Sequence, residues 1–598
     1  MYKKLFFAAI LSVSSLCFSQ IGLDKTKYIG LDEIKPHMPA YCLTIYEGTN
    51  IEKFPLEVIS VVKGVEPGHD AILVKGLDPR FEHTGPVAGC SGSPVYIDGR
   101  MAGALAFGWA FSKDALYGVT PIEEMHRAGE IENALPCNSS SLGGIDLSKP
   151  IDLAQVADSF TKPKPMSSSL PSGASILPAV LSTTGLPQNV STQLESMLSP
   201  MGFVPVSGMA GTVADPNLAK TVKFEPGGTI VVPLVDGDIR LSALGTVTDV
   251  VGDKVYGFGH SFLGTGAVEL PVATGVVNTV VASMMRSFKF GSAIEVKGAL
   301  VADESTAIVA KIGKKARTIP LTITIDRFND SQIRKYNCQL ANHEMMSPMM
   351  VMTSVSAAAF MRGPLPPDHT IAYRISLCLE GVSDPIVFDN ISAGDDAAGM
   401  IKDGVGSLAL LMNNPYKKVC ISSIDFQAKI MPKSIASHIW SVTLADTSVK
   451  AGESLEVSTV IEPYLADKVT YSKRIAVPAN LAPGEYELLI TGPEGYASFL
   501  KKAAPQKFVA DSMENMITAI RNIAQMRRDR LYFVLLMPPS GVTIESQALG
   551  DLPASKAMVL QDEKRSITVL PYQSWVESSV KTDSIVGDSK VVKFTVER

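Results

Sequence analysis

Short runs of apolar and β-branched residues, separated by Gly, Pro and Asp, make up most of this chain. The segments CLTIYEG, FPLEVISVVKG and DAILVKG, between positions 41 and 76, have the composition and length of β-strands. The segment SPVYIDGRMAGALAF contains Asp98-Gly99, a dipeptide typical of a tight hairpin turn. Further short β-branched runs predict strands over 228–234, 239–248, 254–258, 292–301 and 318–325. We therefore expect a mainly β fold.

Helical spacing is confined to a few segments. One helix face is predicted from four apolar residues, Val190, Leu194, Met197 and Leu198. Pro200 ends this amphipathic helix. The Met-rich segment 345–361 is a candidate helix whose methionines are expected to fill a core rather than bind a cofactor. A last helix is predicted from about Asp511 to Met526, with Asp511 and Glu514 forming a capping box.

The last third of the chain has a different pattern. Apolar and polar residues alternate over 455–461, 469–477 and 486–490, with breaks at Pro478 and Pro483. Short alternating strands of this kind are typical of two antiparallel sheets packed face to face. We expect an immunoglobulin-like sandwich in this region.

The N-terminal segment has the features of a secretory signal peptide. In MYKKLFFAAILSVSSLCFSQ, Lys3 and Lys4 precede an apolar run, and small residues at Cys17 and Ser19 favour cleavage near Ser19. This run is too short to span a bilayer, and no later stretch reaches about 18 uninterrupted apolar residues. We expect export to the periplasm, the cell envelope or the medium, with no transmembrane segment after signal removal.

Charge and composition narrow the class of protein. The formal charge is −6, and loss of Lys3 and Lys4 with the signal peptide lowers it to −8, so nucleic acid is not an expected partner. Apolar residues make up 46% and charged residues 19%, which favours a folded chain over a disordered one. At about 150 residues per domain, 598 residues predict several domains.

Six cysteines remain after signal removal: Cys42, Cys90, Cys137, Cys338, Cys378 and Cys420. An oxidising compartment could pair them in several ways. We favour the alternative that most are small buried apolar residues, because no CxxC or Cys/His spacing predicts a metal site.

The strongest chemical motif is Gly89-Cys90-Ser91-Gly92-Ser93-Pro94. Its glycines permit a tight turn from which a serine hydroxyl projects, while the N–H groups of Gly89 and Ser91 can point into one small space. Such donors suit the oxyanion of an acyl-transfer reaction. The hairpin and the strand YGVTPI that follow are similar to the end of a chymotrypsin-like serine protease. Ser91 is the predicted nucleophile, Ser93 is the rival hydroxyl, and a Gly/Ser-rich turn without catalytic function is the alternative.

A serine nucleophile needs a base. Eight histidines are available: His37, His69, His83, His126, His260, His343, His369 and His438. Only His260 has a distinctive setting, YGFGHSFLG, where a strand ending in Gly-x-Gly would place the imidazole at a loop mouth. The glycines could instead begin a phosphate loop, but no helix-forming run follows them.

Two segments, GCSGSPVYIDGRMAGALAFG and GTVTDVVGDKVYGFGHSF, together resemble the SpoIVB-type serine peptidase family. The resemblance covers roughly residues 40–130 and 210–330. It implies Ser91 as nucleophile, His260 as base and Asp78, of the Asp78-Pro79 dipeptide, as the acid. It also implies acyl transfer without a cofactor or metal, and a trypsin-like double β-barrel.

The motif order differs from that of the sporulation peptidase, which has His, Asp and Ser in that order. Here the order is Asp78, Ser91 and His260, with the Ser/Pro/Lys-rich segment 138–173 between the halves. A triad is defined by geometry rather than by chain order, so the permutation is compatible with activity if the halves dock.

The sequence thus predicts a split double-barrel peptidase domain followed by β-rich and immunoglobulin-like modules with a few helices. The expected division is a signal peptide (1–19), a Ser-bearing half (20–137), a linker (138–173), a His-bearing half (174–343), a Met-rich helix and β module (344–440), a sandwich (441–509) and a helix plus β segment (510–598). We expect a serine endopeptidase acting on a protein or peptide substrate, with a cell-envelope protein partner bound through the C-terminal β modules. The alternative is a non-catalytic envelope or adhesion protein of the same fold.

Overall fold

The computed structural model describes residues 24–109, 112–130, 145–162, 170, 173–207, 216–394, 398–544, 547–550, 552–560 and 569–597. The predicted signal peptide therefore lies outside the described residues, as does Cys137. The chain is mainly β, as the sequence predicts.

The N-terminal region forms a closed β-barrel. Its strands are β1 (Pro39–Ile45), β2 (Ile51–Glu66), β3 (His69–Gly76), β4 (Val87–Ala88), β5 (Pro94–Ile97), β6 (Arg100–Trp109), β7 (Leu116–Pro121) and β8 (Ala174–Ile176). Six of them pair in the order β5-β1-β2-β3-β7-β6, and pairing of β6 with β5 closes the ring. Two short helices, α1 (Pro79–Thr84) and α2 (Ile122–Arg127), connect or follow these strands. Asp98 and Gly99 have φ angles of 52° and 73°, which confirms the predicted tight hairpin.

A second closed barrel follows. Its region contains β9 (Ala179–Thr184), β10 (Phe203–Ser207), β11 (Thr229–Gly237), β12 (Arg240–Val251), β13 (Lys254–Gly257), β14 (Gly266–Val281), β15 (Ser287–Glu304) and β16 (Ala307–Ile312), with helices α4 (Gln188–Leu198) and α5 (Pro216–Thr221). The ring runs β11-β12-β13-β16-β15-β14 and closes through β11 and β14. Both barrels thus connect their six strands in the same order, 1-2-3-6-5-4. This repetition confirms the predicted double-barrel architecture.

The segment predicted as an exposed linker, 138–173, is partly built into the fold. Helix α3 (Leu153–Thr161) lies inside it and packs on a later helix, α7 (Ala398–Met412). Val156 and Phe160 of α3 are buried in the largest apolar core of the molecule. The prediction of an exposed linker is therefore wrong for 145–162, because an apolar helix face is buried there.

An open sheet extends the second barrel. Its elements are β17 (Thr318–Arg327), β18 (Arg334–Ala341), α6 (Met346–Phe360), β19 (Thr370–Leu379), β20 (Ile386–Ala393), the helix α7 and β21 (Ile421–Met431). Strand β18 joins this sheet to β11, and the strands continue in the order β17-β21-β19-β20. Helix α6 is buried along almost its whole length, so its methionines fill the core as predicted.

The C-terminal region is a sandwich of two sheets around one apolar core. Its strands are β22 (Ala436–Leu444), β23 (Ser448–Lys450), β24 (Ser454–Pro463), β25 (Val469–Ala476), β26 (Gly484–Thr491), β27 (Arg530–Ile544), β28 (Gln547–Leu549), β29 (Val569–Lys581), β30 (Ile585–Val586) and β31 (Ser589–Glu597). Helices α8 (Pro493–Ala503), α9 (Met513–Ala524) and α10 (Ala554–Leu560) interrupt the strands. Strands after position 530 complete the sandwich, so it extends beyond the predicted range 441–509.

Three further expectations can be compared with the structure. Helix α9 is capped by the Ser512 side chain, which accepts the Asn515 N–H, so the predicted capping box at Asp511 is wrong. The five described cysteines are free thiols, three of them buried. Among the helices in the described ranges, none has the length and apolar character needed to cross a membrane.

Candidate active site between two barrels

The Ser91 turn joins β4 to β5 at the face of the first barrel that meets the second. Gly92 has a φ of +90°, and a Cβ there would overlap the Thr246 carbonyl and the Phe258 backbone nitrogen, so this position requires glycine. Two hydrogen bonds fix the turn: the Thr246 N–H donates to the Ser91 carbonyl (2.9 Å) and the Thr248 hydroxyl donates to the Gly92 carbonyl (2.7 Å). Strand β12 of the second barrel therefore shapes the serine turn of the first.

The two serine hydroxyls of the turn have different surroundings. The Ser93 Oγ donates to the Cys90 carbonyl at 2.7 Å, so it stabilises the turn. The Ser91 Oγ is buried and has no hydrogen-bond partner among the described residues. The Ser93 hydroxyl is thus committed to the turn, and the Ser91 hydroxyl remains the candidate nucleophile.

His260 follows β13 in a tight loop. Phe258 and Gly259 both have positive φ angles, 66° and 69°, and such a conformation is uncommon for phenylalanine. The His260 Nδ1 lies 2.7 Å from the Ser261 carbonyl oxygen. A carbonyl can only accept, so Nδ1 carries the proton in the neutral ring and Nε2 keeps its lone pair. This tautomer suits a general base.

The electrostatic environment keeps the His260 ring neutral. Burial lowers the pKa of His260 to about 4, although hydrogen bonding of the ring to the backbone of Ser261 and Leu177 acts to raise it. The Nε2 atom is buried without a hydrogen-bond partner among the described residues. At neutral pH the ring is therefore neutral, and its Nε2 atom is an acceptor without a hydrogen-bond donor among the described residues.

The two motifs meet across the seam between the barrels. The Gly92 N–H donates to the Leu105 carbonyl (2.8 Å), and Gly259 packs so closely on Leu105 that a Cβ would lie 3.2 Å from the same oxygen. The Thr120 hydroxyl donates to the Gly259 carbonyl at 2.6 Å. No hydrogen bond joins the Ser91 Oγ to the His260 Nε2, and leaving a buried polar atom unpaired costs about 1–3 kcal/mol.

Asp78 does not contact His260. Its side chain caps α1 by accepting the Arg80 N–H at 2.8 Å, and it forms an ion pair with the Arg80 guanidinium. Although burial acts to raise it, these hydrogen bonds from Arg80 hold the pKa of Asp78 below its ordinary value. The expectation that Asp78 orients the imidazole does not fit this geometry, in which the Ser261 carbonyl takes that position.

The two expected oxyanion donors differ in their present partners. The Gly89 N–H donates to the Pro178 carbonyl at 3.2 Å. The Ser91 N–H meets no acceptor within the described part of the chain. The Gly89 carbonyl accepts the Thr246 hydroxyl at 2.9 Å, so strand β12 also holds the orientation of this peptide. A peptide carbonyl thus already lies at the Gly89 donor.

Asp303 holds the loop that carries His260, and the sequence pattern did not indicate it. Its buried carboxylate accepts the N–H groups of Phe262 (2.6 Å), Leu263 (2.7 Å) and Gly264 (2.8 Å). Burial raises the pKa of Asp303 to about 6, while hydrogen bonds from four backbone N–H groups, these three and that of Thr265, act to lower it. Asp303 is therefore a positioning residue for the loop.

A buried lysine lies beneath the serine turn. The Lys289 ammonium donates to the hydroxyls of Thr44 (2.7 Å) and Thr246 (3.1 Å), and its stem packs on Gly89. Burial lowers the pKa of Lys289, against the neighbouring thiols of Cys90 and Cys42. The sequence pattern of β15 did not indicate that the Lys289 side chain is buried beneath the serine turn.

A buried network also ties the two barrels together. The Asp249 carboxylate of β12 accepts the Tyr28 hydroxyl (2.9 Å) and lies 2.9 Å from the Nε2 of His126. Both partners come from the first-barrel region. The contacts between the barrels are thus specific and polar as well as apolar.

Two small cavities adjoin His260. One, of about 180 Å³, is also lined by Pro178, Phe203 and Arg286. The other, of about 50 Å³, is lined by Ile176 and Phe107 among others. Residues of the segment that contains β8 line both cavities.

Neither a search of curated proteins nor a search of solved structures gives a match. The family model of the SpoIVB peptidase S55 matches residues 19–126, a range that contains Ser91 and the six strands of the first ring but ends before His260. For this segment the match confirms the resemblance to the SpoIVB-type serine peptidases that the serine motif predicted.

Proposed function

We propose that this protein is an exported serine endopeptidase that cleaves a protein substrate by acyl transfer at Ser91. The observation that carries the proposal is a pair of buried, unpartnered atoms, the Ser91 Oγ and the His260 Nε2, on either side of one seam. A buried polar atom without a partner is uncommon and costly, and a catalytic role is one of the explanations for it. Catalytic hydrogen bonds are often formed only once substrate is bound.

The proposed reaction has two halves. The Ser91 Oγ attacks the scissile carbonyl carbon, and its proton passes to the His260 Nε2. The N–H groups of Gly89 and Ser91 hold the developing oxyanion. His260 then protonates the leaving amine, which leaves an acyl ester on Ser91. The same imidazole deprotonates a water molecule, which attacks the ester carbonyl. The bond from the acyl carbon to the Ser91 oxygen then breaks, and the imidazolium returns the proton to that oxygen.

The imidazolium formed in this reaction needs stabilisation. The Ser261 carbonyl accepts the Nδ1 proton and fixes the ring plane, as a carboxylate would do in an Asp-containing triad. Asp303 acts one step further away, by fixing the backbone that follows Ser261. We expect this arrangement to support the base less strongly than a directly bonded carboxylate.

The permuted motif order is compatible with this proposal because each barrel is a contiguous segment. The first barrel closes within 39–121 and the second within 229–312. Exchanging the chain order of two such units leaves the seam between them unchanged. The pairing of β4 with β15 and the Asp249 network provide specific docking.

Export is the proposed location, supported by the sequence pattern of residues 1–19. A protein partner in the cell envelope is proposed for the C-terminal sandwich. A groove of about 830 Å³ there is lined by His438, Tyr464 and Leu465 among others, and Leu465 is 87% exposed. An exposed apolar side chain beside a groove suits a protein ligand.

A fluorophosphonate probe tests the enzymatic proposal. We expect one adduct, on Ser91, found by mass spectrometry of peptides from the intact labelled protein. Ser91→Ala should abolish labelling, whereas the matched control Ser93→Ala should keep it, because the Ser93 hydroxyl only donates to the Cys90 carbonyl. Labelling that persists in Ser91→Ala would contradict the assignment of the nucleophile.

The burial of Ser91 supports a second candidate, a non-catalytic protein of peptidase fold. A nucleophile with 0% exposure cannot meet a substrate without a conformational change. The C-terminal sandwich would then carry the binding function. Absence of labelling in the wild type and in every opened variant described below would favour this candidate.

A further inference from the structure

Strand β8 lies on the edge of β6 directly beside the Ser91 turn. Residues 174, 175 and 176 pair antiparallel with 109, 108 and 107, and the Leu177 N–H donates to the Ala106 carbonyl at 2.8 Å. One residue further, the Pro178 carbonyl accepts the Gly89 N–H. The segment therefore runs along the serine barrel and ends with a carbonyl at an oxyanion donor.

The side chains of this segment fill the surroundings of the catalytic pair. Leu177 is 2% exposed and packs in the apolar core of the first barrel. Ile176 and Pro178 each line a cavity that His260 also lines. Backbone pairing, a buried apolar side chain and a bonded carbonyl together are what an extended peptide substrate would provide.

We propose, on the basis of the proposed function, that residues 174–178 occupy the substrate groove at rest, and that the substrate is an extended peptide that replaces them as an antiparallel strand on β6. The pocket now holding Leu177 then accepts a leucine-sized apolar side chain of the substrate. The Gly89 N–H receives a substrate carbonyl in place of the Pro178 carbonyl.

Residues 174–178 compete effectively with a substrate peptide for the groove because they are tethered to the barrel. Strand β9 begins at Ala179, immediately after Pro178, and pairs with β10 and β12. Tethering gives a segment an effective concentration on the order of millimolar, which lowers the apparent affinity for a free peptide. Since β8 has only three paired residues, few hydrogen bonds must break for exchange.

A single backbone change isolates this contact. Because bonded pairs alternate in an antiparallel ladder, the bond at Leu177 places the next bonded pair at Ser175 and Gly108. Ser175→Pro removes that N–H donor, and the Ser175 side chain is exposed, so little packing is lost. Ser175→Ala keeps the donor and is the matched control.

The test measures binding of a fluorescein-labelled peptide with the sequence of residues 173–179, GASILPA, to the full-length chain by fluorescence polarisation. We expect at least a tenfold lower Kd for Ser175→Pro than for the wild type and Ser175→Ala. Leu177→Ala, which empties the pocket, should lower the Kd in the same direction. A peptide with Asp at the Leu position should bind none of these proteins with comparable affinity.

Equal binding to all the proteins, or no binding to Ser175→Pro and Leu177→Ala, would overturn the inference. The readout needs no catalysis, so it is separate from the proposed function. If Ser175→Pro binds the peptide tightly but is never labelled by a fluorophosphonate, the groove assignment stands and the enzymatic proposal fails. If the wild type and Ser175→Pro are labelled by the fluorophosphonate at the same rate and bind the peptide equally, the enzymatic proposal stands and the groove assignment fails.

Discussion

Asp303→Asn should loosen the loop that carries His260 without disturbing the barrels. In the native protein the Oδ1 atom accepts the Phe262 N–H, and the Oδ2 atom accepts the N–H groups of Leu263 and Gly264. Asparagine has one acceptor oxygen. If this oxygen keeps the hydrogen bonds from Leu263 and Gly264, the NH₂ group faces the Phe262 N–H, which is itself a donor. The Phe262 N–H is then left unpaired in a buried site.

The size of the effect follows from this count. An unpaired buried N–H costs about 1–3 kcal/mol, and relief of the buried charge offsets part of the lost charge-assisted bonding. We expect a net local cost of about 1.5–3 kcal/mol, which corresponds to roughly 10- to 150-fold faster amide exchange at about 1.4 kcal/mol per tenfold.

Hydrogen–deuterium exchange of a peptide spanning 258–266 measures this change directly. Glu304→Gln is the matched control, because Glu304 is the next residue on β15 and, within the described part of the chain, its carboxylate accepts the Gly129 N–H (2.9 Å) and no N–H of the His260 loop. Exchange in 258–266 should be unaffected there. If the amide exchange rate in 258–266 of Asp303→Asn rises by less than about threefold, the positioning role of Asp303 is refuted.

Other predictions concern the base, the serines and the buried helix. Because burial lowers the pKa of His260 to about 4, the rate of Ser91 phosphonylation should be constant from about pH 8 to 5 and should decrease below about pH 5. A wild-type midpoint near the ordinary histidine pKa of about 6.5 would contradict the buried neutral base. The folded-state pKa of His260 lies below its unfolded value of about 6.5, so its contribution to the free energy of unfolding is fully present above about pH 6.5 and is lost as the pH falls towards 4. Urea unfolding should show Ser91→Ala at least as stable as the wild type, since its Oγ has no partner, and Ser93→Ala less stable by about 1 kcal/mol; the reverse order would contradict the hydrogen-bond assignment. In limited proteolysis the bonds of α3 (153–161) should resist cleavage until the core unfolds, and early nicking there would show that this helix is not packed.

The parts of the site that were predictable are those written in local sequence. The glycines around Ser91 and the Gly-x-Gly before His260 are needed for positive φ angles and close backbone approach, so the two motifs indicate two special turns. The alternating strands of 41–121 likewise predict a β-barrel half. Each of these inferences depends on neighbouring residues only.

The assignment of Asp78 failed because its sequence signal has two readings. An Asp-Pro dipeptide is also the signature of a helix start, with Asp as N-cap and Pro in the first turn, and α1 begins in that way. Asp303 could not be found by the same means. It meets the His260 loop about 40 positions away in sequence only because β14 and β15 bring the two segments together.

The buried helix α3 shows a different limit. Ser, Pro and Lys dominate 138–173 as a whole, and this average conceals Leu153, Val156, Ala157 and Phe160, whose spacing predicts one apolar helix face. A shorter window would have found the helix. Its partner α7, about 250 positions further along the chain, could not be inferred from either segment alone.

A crystal structure of the protein after reaction with a peptidyl phosphonate tests the central claim most directly. The account predicts a covalent bond from phosphorus to the Ser91 Oγ, a phosphoryl oxygen accepting the N–H groups of Gly89 and Ser91, and the His260 Nε2 at about 3 Å from the Ser91 oxygen. It also predicts the peptide on the edge of β6 with residues 174–178 displaced. An adduct on another residue, or an adduct on Ser91 with His260 beyond hydrogen-bond reach, would contradict the proposed Ser91–His260 site.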